Sequence, residues 1–137
     1  MKPRVSLRKA LADKNLLGNS LPGPSWSAWR TLLIASMGEP LTDAERPVFT
    51  MLTQREREPL ERAEEVAFVV GRRGGKTEAT ATLGSYIAGC CDFSDVLVPG
   101  ETGILMIIAA DDGADVREPR RALLCSRPCR LAHLAQR

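Results

Sequence analysis

The chain has 137 residues, enough for one small domain with a modest hydrophobic core. A formal net charge of +2 gives no global argument for nucleic-acid binding. The longest apolar runs, residues 66–70 and 104–110, are too short to cross a bilayer. The adjacent Cys90-Cys91 pair is not typical of a secreted disulfide framework, and no signal-peptide pattern precedes it. Together these features predict a reduced, cytoplasmic protein.

The first 65 residues predict a helical N-terminal region. Residues 1–6 are basic and are expected to form a frayed tail. Apolar positions within residues 7–17 then predict a short helix that ends at Gly18.

A second helix is predicted to follow a turn-rich linker. Ser25 is a favourable N-cap for it, and Gly38 closes it. Its apolar face comprises Trp26, Trp29, Leu32, Leu33 and Met37. We interpret the two tryptophans as core residues rather than as stacking partners of a ligand.

A third helix is predicted to begin at Pro47, because the missing N–H of proline is tolerated in the first turn of a helix. Val48, Met51 and Leu52 are expected to face the core. Residues 54–65 interleave glutamate and arginine and predict a solvated connector or a short helix.

Residues 66–77 contain the strongest functional signal. The apolar, β-branched run at 66–70 predicts a strand buried on both faces. The segment Gly71-Arg72-Arg73-Gly74-Gly75-Lys76-Thr77 follows, and a helix is predicted over residues 78–91. Strand, glycine loop, Lys-Thr and helix, in that order, are the layout of a phosphate-binding loop.

Each residue type in this loop suits an anion. Glycines let the backbone approach a phosphate closely, and the next helix adds N–H groups and the positive end of its dipole. Lys76 is predicted to contact the terminal phosphates of ATP, and the Thr77 hydroxyl to bind Mg²⁺. The loop departs from the G-x-x-x-x-G-K-[ST] spacing, because Val70 stands where its first glycine is expected. The alternative interpretation is a structural turn with a chance Lys-Thr pair.

A second buried strand is predicted over residues 102–110. With the first strand and the intervening helix it would complete a βαβ unit. The sequence therefore predicts an α/β fold: a P-loop NTPase-like partial parallel sheet with a helical N-terminal region. Asp111, at the end of this strand, is a candidate Mg²⁺ ligand, and its alternative role is a helix cap.

The loop at residues 71–77 resembles the deviant Walker A loop of the large terminase subunit of tailed bacteriophages. Three further segments look similar to that family. They are Leu11-Ala12-Asp13-Lys14-Asn15-Leu16-Leu17-Gly18, Ser25-Trp26-Ser27-Ala28-Trp29-Arg30, and Pro99-Gly100-Glu101 before an apolar run that ends Ala109-Ala110-Asp111. The resemblance covers about residues 10–112.

The resemblance implies part of an ATPase that powers the packaging of viral DNA, with ATP and Mg²⁺ as cofactors. The residues that it places at the nucleotide are Gly71, Arg72, Arg73, Gly74, Gly75, Lys76 and Thr77. Arg72 and Lys76 would be the catalytic groups at the phosphates, and Phe49 and Gln54 would seat the adenine. The implied partners, besides nucleotide, are double-stranded DNA, the portal protein and the small terminase subunit, in the cytoplasm of a bacterial host cell.

The predicted organisation is a helical region at 1–65, a P-loop βαβ core at 66–112 and a basic tail at 113–137. The tail contains arginine but no lysine, and prolines interrupt it where a helix should continue, so we interpret it as disordered and hypothesise that it is translated out of frame. Walker B acids and a nuclease domain are not recognisable. A truncated ATPase that is not competent alone, and a non-catalytic nucleotide-binding module, are therefore both open; a small kinase would need more than one βαβ unit.

Overall fold

The computed structural model describes residues 1–98 and residue 101. Its elements, in chain order, are β1 (Lys2–Pro3), α1 (Leu7–Ala12), a 3-10 helix (Pro24–Trp26), α2 (Ser27–Ser36), α3 (Arg46–Thr53), α4 (Lys76–Cys90) and β2 (Cys91–Asp92). The predicted strand at 102–110, the candidate ligand Asp111 and the tail at 113–137 lie outside the described residues.

Helix α2 is the centre of the packing, because it contacts the 3-10 helix, α1, α3 and α4. Leu33, at the middle of α2, is 1% exposed. The buried apolar core consists of Leu7, Ala10, Leu21, Leu33, Ile34, Ala35, Met37, Leu41, Phe49, Ala79, Tyr86 and Cys91. Helices α1, α2 and α3 lie within residues 1–65, and α4 packs against α2.

The N-terminal residues do not form the frayed tail that their composition predicted. Strand β1 pairs antiparallel with β2, and the Arg4 N–H donates to the Cys90 carbonyl at 2.8 Å. The buried Tyr86 hydroxyl donates to the Val5 carbonyl at 2.7 Å. Burial raises the pKa of Tyr86, so its hydroxyl stays protonated and remains a donor. The prediction failed because these partners lie more than eighty residues away in sequence.

The boundaries of α1 and α2 differ from those predicted. Helix α1 ends at Ala12, and the carbonyl of Asp13 then accepts from the N–H groups of Leu16 and Gly18 in a tight turn. Ser25 is not an N-cap, because it lies within the 3-10 helix that Pro24 begins. Helix α2 starts only after it.

Helix α3 contains Pro47 in its first turn, as predicted, but its buried face was predicted wrongly. Phe49 is buried, whereas Met51 is 72% exposed and Leu52 is 46% exposed. Phe49 and Met51 lie about 200° apart around a helix, so packing on one side of α3 cannot bury both side chains. The short helix offered two apolar faces, and the contact with α2 selects the one that contains Phe49.

Residues 66–70, for which a doubly buried strand is predicted, form no strand in the described part of the chain. Val66 is nearly half exposed and Val69 is fully exposed. A strand requires a hydrogen-bonded neighbour as well as apolar residues, and within residues 1–98 the backbone of this segment bonds to no other strand. Residues 54–65 contain neither helix nor strand, so of the two predicted alternatives the connector is the one observed.

A bidentate ion pair joins α1 to the start of α3. Arg8 donates to both carboxylate oxygens of Glu45 at 2.8 Å, and the Thr42 N–H donates to the same carboxylate at 2.8 Å. The hydrogen bonds from Arg8 are the main reason why the pKa of Glu45 falls from 4.5 to about 2.

We expect the Glu45 pair to make stability depend on pH in one window. A lowered carboxylate pKa contributes stability that is complete above pH 4.5 and is lost as the pH falls toward 2. Glu45→Gln should therefore cost about 1 kcal/mol at pH 7 and almost nothing at pH 2, as urea unfolding at the two pH values would measure. Glu56→Gln, on the exposed connector, is the control. An equal cost at both pH values would contradict the assignment.

No helix within residues 1–98 is both long enough and apolar enough to cross a membrane.

Candidate functional site

The loop between residues 71 and 75 is a tight turn followed directly by α4. The Gly74 N–H donates to the Gly71 carbonyl at 3.3 Å. Arg73 has φ +59°, and Gly75 has φ +76° immediately before the first residue of α4. Glycine adopts this left-handed region without strain, whereas an arginine there costs about 1 kcal/mol. The backbone therefore turns within residues 71–75, and Lys76 and Thr77 lie at the start of α4.

The Lys76 side chain folds back over the loop that precedes it. Its Nζ donates to the Val70 carbonyl at 3.3 Å and to the Gly71 carbonyl at 3.2 Å. The ammonium group thus lies at the entrance of the turn and close to the loop backbone, although the side chain is exposed. An anion that enters the loop would offer this ammonium group stronger acceptors than two neutral carbonyls.

The first turn of α4 presents unpaired backbone donors. The first N–H to find a backbone acceptor is that of Ala79, which donates to the Gly75 carbonyl at 3.0 Å. Among the described residues, the N–H groups of Gly75, Lys76, Thr77 and Glu78 have no hydrogen-bond partner. Such groups, together with the helix dipole, favour negative charge at this end. Helix α4 has fifteen residues, and its start is therefore a persistent feature of the fold.

A cavity of about 350 Å³ opens at this point. Its lining residues are Arg73, Gly74, Gly75, Lys76, Thr77 and Glu78. The structure therefore brings together five of the seven residues predicted to bind nucleotide. Gly71 and Arg72 do not line the cavity, and Arg72 is exposed on the outer side of the turn. In this conformation Arg73, rather than Arg72, is the loop arginine next to the cavity.

The charge around the cavity is predominantly positive. Within the described residues, none of the ion pairs involves Arg72, Arg73 or Lys76. These three cations remain available to an anionic ligand. Glu78 is the one carboxylate in the lining, and it would repel a phosphate that arrived without a cation.

Thr77 and Glu78 supply the oxygen donors that Mg²⁺ prefers. The hydroxyl and the carboxylate belong to consecutive residues that line the same cavity. No group of three or more His, Cys, Asp or Glu side chains within residues 1–98 could hold a metal ion. A Mg²⁺ ion that is bound by one or two protein ligands and by the phosphates of a nucleotide fits this pair of oxygen donors.

Trp26 and Trp29 both contact the loop. Their helical spacing predicts that they are core residues. The Trp29 indole N–H donates to the Gly74 carbonyl at 2.7 Å. A Cβ atom added to Gly75 would lie 2.6 Å from Cζ3 of Trp26. Both tryptophans are half-buried, so they belong partly to the core and partly to the loop. Their one-turn spacing was visible in the sequence, but nothing local connected them to a loop 45 residues later.

A second, more apolar cavity of about 700 Å³ lies beside the loop, between α2, α3 and residues 59–71. Phe49 lines it, together with Trp29, Phe68 and Gly71. Gln54, the other residue predicted to seat adenine, ends α3 with φ +56° and does not line it. The structure thus places Phe49 in the lining of this cavity and Gln54 outside that lining.

Comparisons of the chain with models of known protein families, with curated proteins and with solved structures find no match.

Proposed function

We propose that the loop at residues 71–77 binds the phosphates of ATP together with Mg²⁺. We further propose that the chain is part of an ATPase similar to that of the large terminase subunit, which would use ATP to power the packaging of viral DNA. In this proposal residues 66–70 are the first strand of a P-loop parallel sheet, and their exposed valines are the surface that other strands would cover.

The observation that supports the proposal most directly is the position of Lys76. Its ammonium group lies across the carbonyls of Val70 and Gly71, beside a cavity whose lining includes residues 75–78, the four residues whose N–H groups have no partner within the described chain. A structural turn with a chance Lys-Thr pair would not require the lysine to fold back onto the loop. Convergent N–H donors, a lysine and an adjacent hydroxyl match what a nucleotide phosphate and its Mg²⁺ require.

Lys76→Ala is expected to weaken the binding of ATP–Mg by about tenfold or more, because it removes a charged donor to the phosphates. Isothermal titration calorimetry on the full chain measures this. Lys14→Ala is the matched control, since Lys14 is equally exposed but lies in the turn after α1. Its affinity should equal that of the unaltered chain.

Three results would refute this assignment. Equal affinity of the unaltered chain and the Lys76→Ala variant for ATP would show that the phosphates do not bind at this loop. If both the unaltered chain and the Lys76→Ala variant give heat of binding with ATP but not with adenosine, the phosphates bind elsewhere on the protein. If the unaltered chain binds no ATP at all, the proposal is wrong.

A non-catalytic nucleotide-binding module is the second candidate. Glu78 is the one carboxylate in the described part of the cavity lining, and it directly follows the proposed Mg²⁺ ligand Thr77. Orientation of the attacking water and stabilisation of the phosphoryl group supply most of the catalysis in ATP hydrolysis. Release of inorganic phosphate separates the candidates. Turnover that Lys76→Ala abolishes supports the ATPase, and binding without turnover supports the module.

The remaining proposals follow from the resemblance alone. As an ATPase of this kind, the chain would work in the cytoplasm of a bacterial host cell. Its partners there would be double-stranded DNA, the portal protein and the small terminase subunit.

A further inference from the structure

Among the described residues, one side-chain hydrogen bond joins α2 to the loop at residues 71–75, and its acceptor is the carbonyl of Gly74. The donor is the indole N–H of Trp29, at 2.7 Å. Neutral hydrogen bonds of this length are near the short end of the normal range, so the contact fixes the position of the carbonyl. A residue 45 positions earlier in the chain therefore controls one peptide unit of the loop.

That peptide unit also contains the N–H of Gly75. The described residues contain no cis peptide bond, and in a trans peptide the carbonyl and the N–H point in opposite directions. With the Gly74 carbonyl directed at Trp29, the Gly75 N–H points away from α2. It has no partner within the described chain, and Gly75 lines the 350 Å³ cavity.

The indole of Trp29 is itself held in place. Its ring meets that of Phe68 edge to face, with centroids 5.3 Å apart and planes at 72°. Trp26, one turn earlier, contacts Gly75 through its ring carbons Cζ3 and Cη2. The two tryptophans thus contact adjacent glycines in different ways: Trp29 donates to Gly74, and Trp26 packs on Gly75.

We propose that Trp29 is a positioning residue for the phosphate-binding loop: its indole N–H holds the Gly74–Gly75 peptide so that the Gly75 N–H faces the phosphates. This inference rests on the proposed function, because it concerns the same cavity. Trp29 itself touches no phosphate. Without its N–H the peptide could rotate, and the loop would lose one of its convergent donors.

The sharpest test removes one N–H and leaves the ring. Site-specific replacement of Trp29 by β-(3-benzothienyl)alanine substitutes sulfur for the indole N–H in a side chain of almost the same shape. Affinity for inorganic triphosphate should fall about fivefold to tenfold, the usual effect of one lost hydrogen bond. The same replacement at Trp26 is the control, because Trp26 contacts the loop through carbon.

Two further readouts separate positioning from general support of the fold. The thermal midpoint of the Trp29 analogue should fall by no more than one lost hydrogen bond costs, and that of the Trp26 analogue should stay the same. The backbone amide resonance of Gly75 should shift when triphosphate is added to the unaltered chain and to the Trp26 analogue, but should shift much less in the Trp29 analogue. Trp29→Phe, made by ordinary mutagenesis, should reproduce the loss of affinity.

Failure of this inference differs from failure of the proposed function. If the unaltered chain binds triphosphate and the Trp29 analogue binds it equally well, the positioning role is refuted and the phosphate site stands. If both analogues lose affinity and thermal midpoint together, Trp29 is a packing residue only. If the unaltered chain shows no shift at Gly75 and no affinity, the proposed function fails, and the positioning role fails with it.

Discussion

Gly75→Ala abolishes phosphate binding by the loop, in our expectation, and lowers the free energy of unfolding by about 2 kcal/mol. Gly75 has φ +76°, a region that costs any residue with a Cβ atom about 1 kcal/mol. The added Cβ would also lie 2.6 Å and 2.7 Å from two ring carbons of Trp26 and 3.3 Å from Nε1 of Trp29. The tryptophan rings are half-buried and can shift, so the stability cost is moderate.

The effect on binding is larger than the effect on stability. The clash can be relieved in two ways, and both change the site. If the Trp26 ring shifts, the 3-10 helix loses its packing on the loop. If the loop shifts instead, residues 75–78 move relative to the cavity that they line. Binding needs these donors to converge, since each alone is a weak ligand.

Titration of the Gly75→Ala variant with ATP–Mg, beside its unfolding in urea, measures both effects. Gly89→Ala, in the same helix, is the control, because a Cβ there meets nothing within 4 Å. Alanine is the better helix former, so this control should gain up to about 1 kcal/mol and bind normally. Normal binding by Gly75→Ala would show that the loop geometry is not what binds phosphate.

Some local elements could be predicted from the sequence, because patterns of a few neighbouring residues determine them. The glycine loop, the start of α4 at Lys76 and the proline in the first turn of α3 each depend on backbone preferences that one or two residues impose. The five predicted site residues that line the cavity are consecutive, and the start of a helix brings such neighbours together without help from distant contacts.

Contacts between distant segments could not be predicted in the same way. Trp29 has the same helical spacing whether it packs in a core or donates to Gly74. Lys2 and Pro3 carry no signal for a strand, and they pair with Cys91 and Asp92 only because the packing of α4 brings β2 beside them. In each case the sequence gives the type of residue, and the tertiary structure selects its partner.

The segment at 66–70 shows the limit of hydrophobic periodicity. Its valines and phenylalanine are typical of a strand, and Phe68 does pack against Trp29. However, the strand itself depends on hydrogen bonds to neighbouring strands, which no apolar pattern supplies. The composition of residues 66–70 therefore indicates a preference for a buried strand. Val69 is fully exposed, so the described residues do not cover the segment as a sheet would.

Gly38 packs against the connector, residues 54–65, that leads into residues 66–70. Gly38, just after α2, has φ +71° and lies against the backbone of Glu61 and Arg62. Beside it, the Ala63 N–H donates to the Ser36 carbonyl at 2.9 Å. The C-terminal end of α2 thereby fixes residues 61–63, and through them the approach to the phosphate loop.

Gly38→Ala should lower the free energy of unfolding by about 3 kcal/mol or more, the largest stability effect that we expect from a single methyl group. The added Cβ would lie 2.6 Å from the Arg62 nitrogen and closer still to the Glu61 carbonyl carbon. Backbone atoms, unlike the rings beside Gly75, cannot rotate away. The connector must therefore separate from α2 and give up the bond from Ala63 to Ser36.

Gly23→Ala separates the two causes. Gly23 has φ +81°, yet a Cβ there meets nothing within 4 Å, so this variant should lose only the roughly 1 kcal/mol that the left-handed backbone costs. Urea unfolding of both variants gives the difference, which measures the contact between Gly38 and the connector. Because the connector leads into residues 66–71, ATP binding should weaken in Gly38→Ala and not in Gly23→Ala. Equal losses of stability would mean that the connector does not depend on Gly38, and the approach to the loop would have to be fixed by Glu58, whose carboxylate accepts from the Leu41 N–H at 2.9 Å.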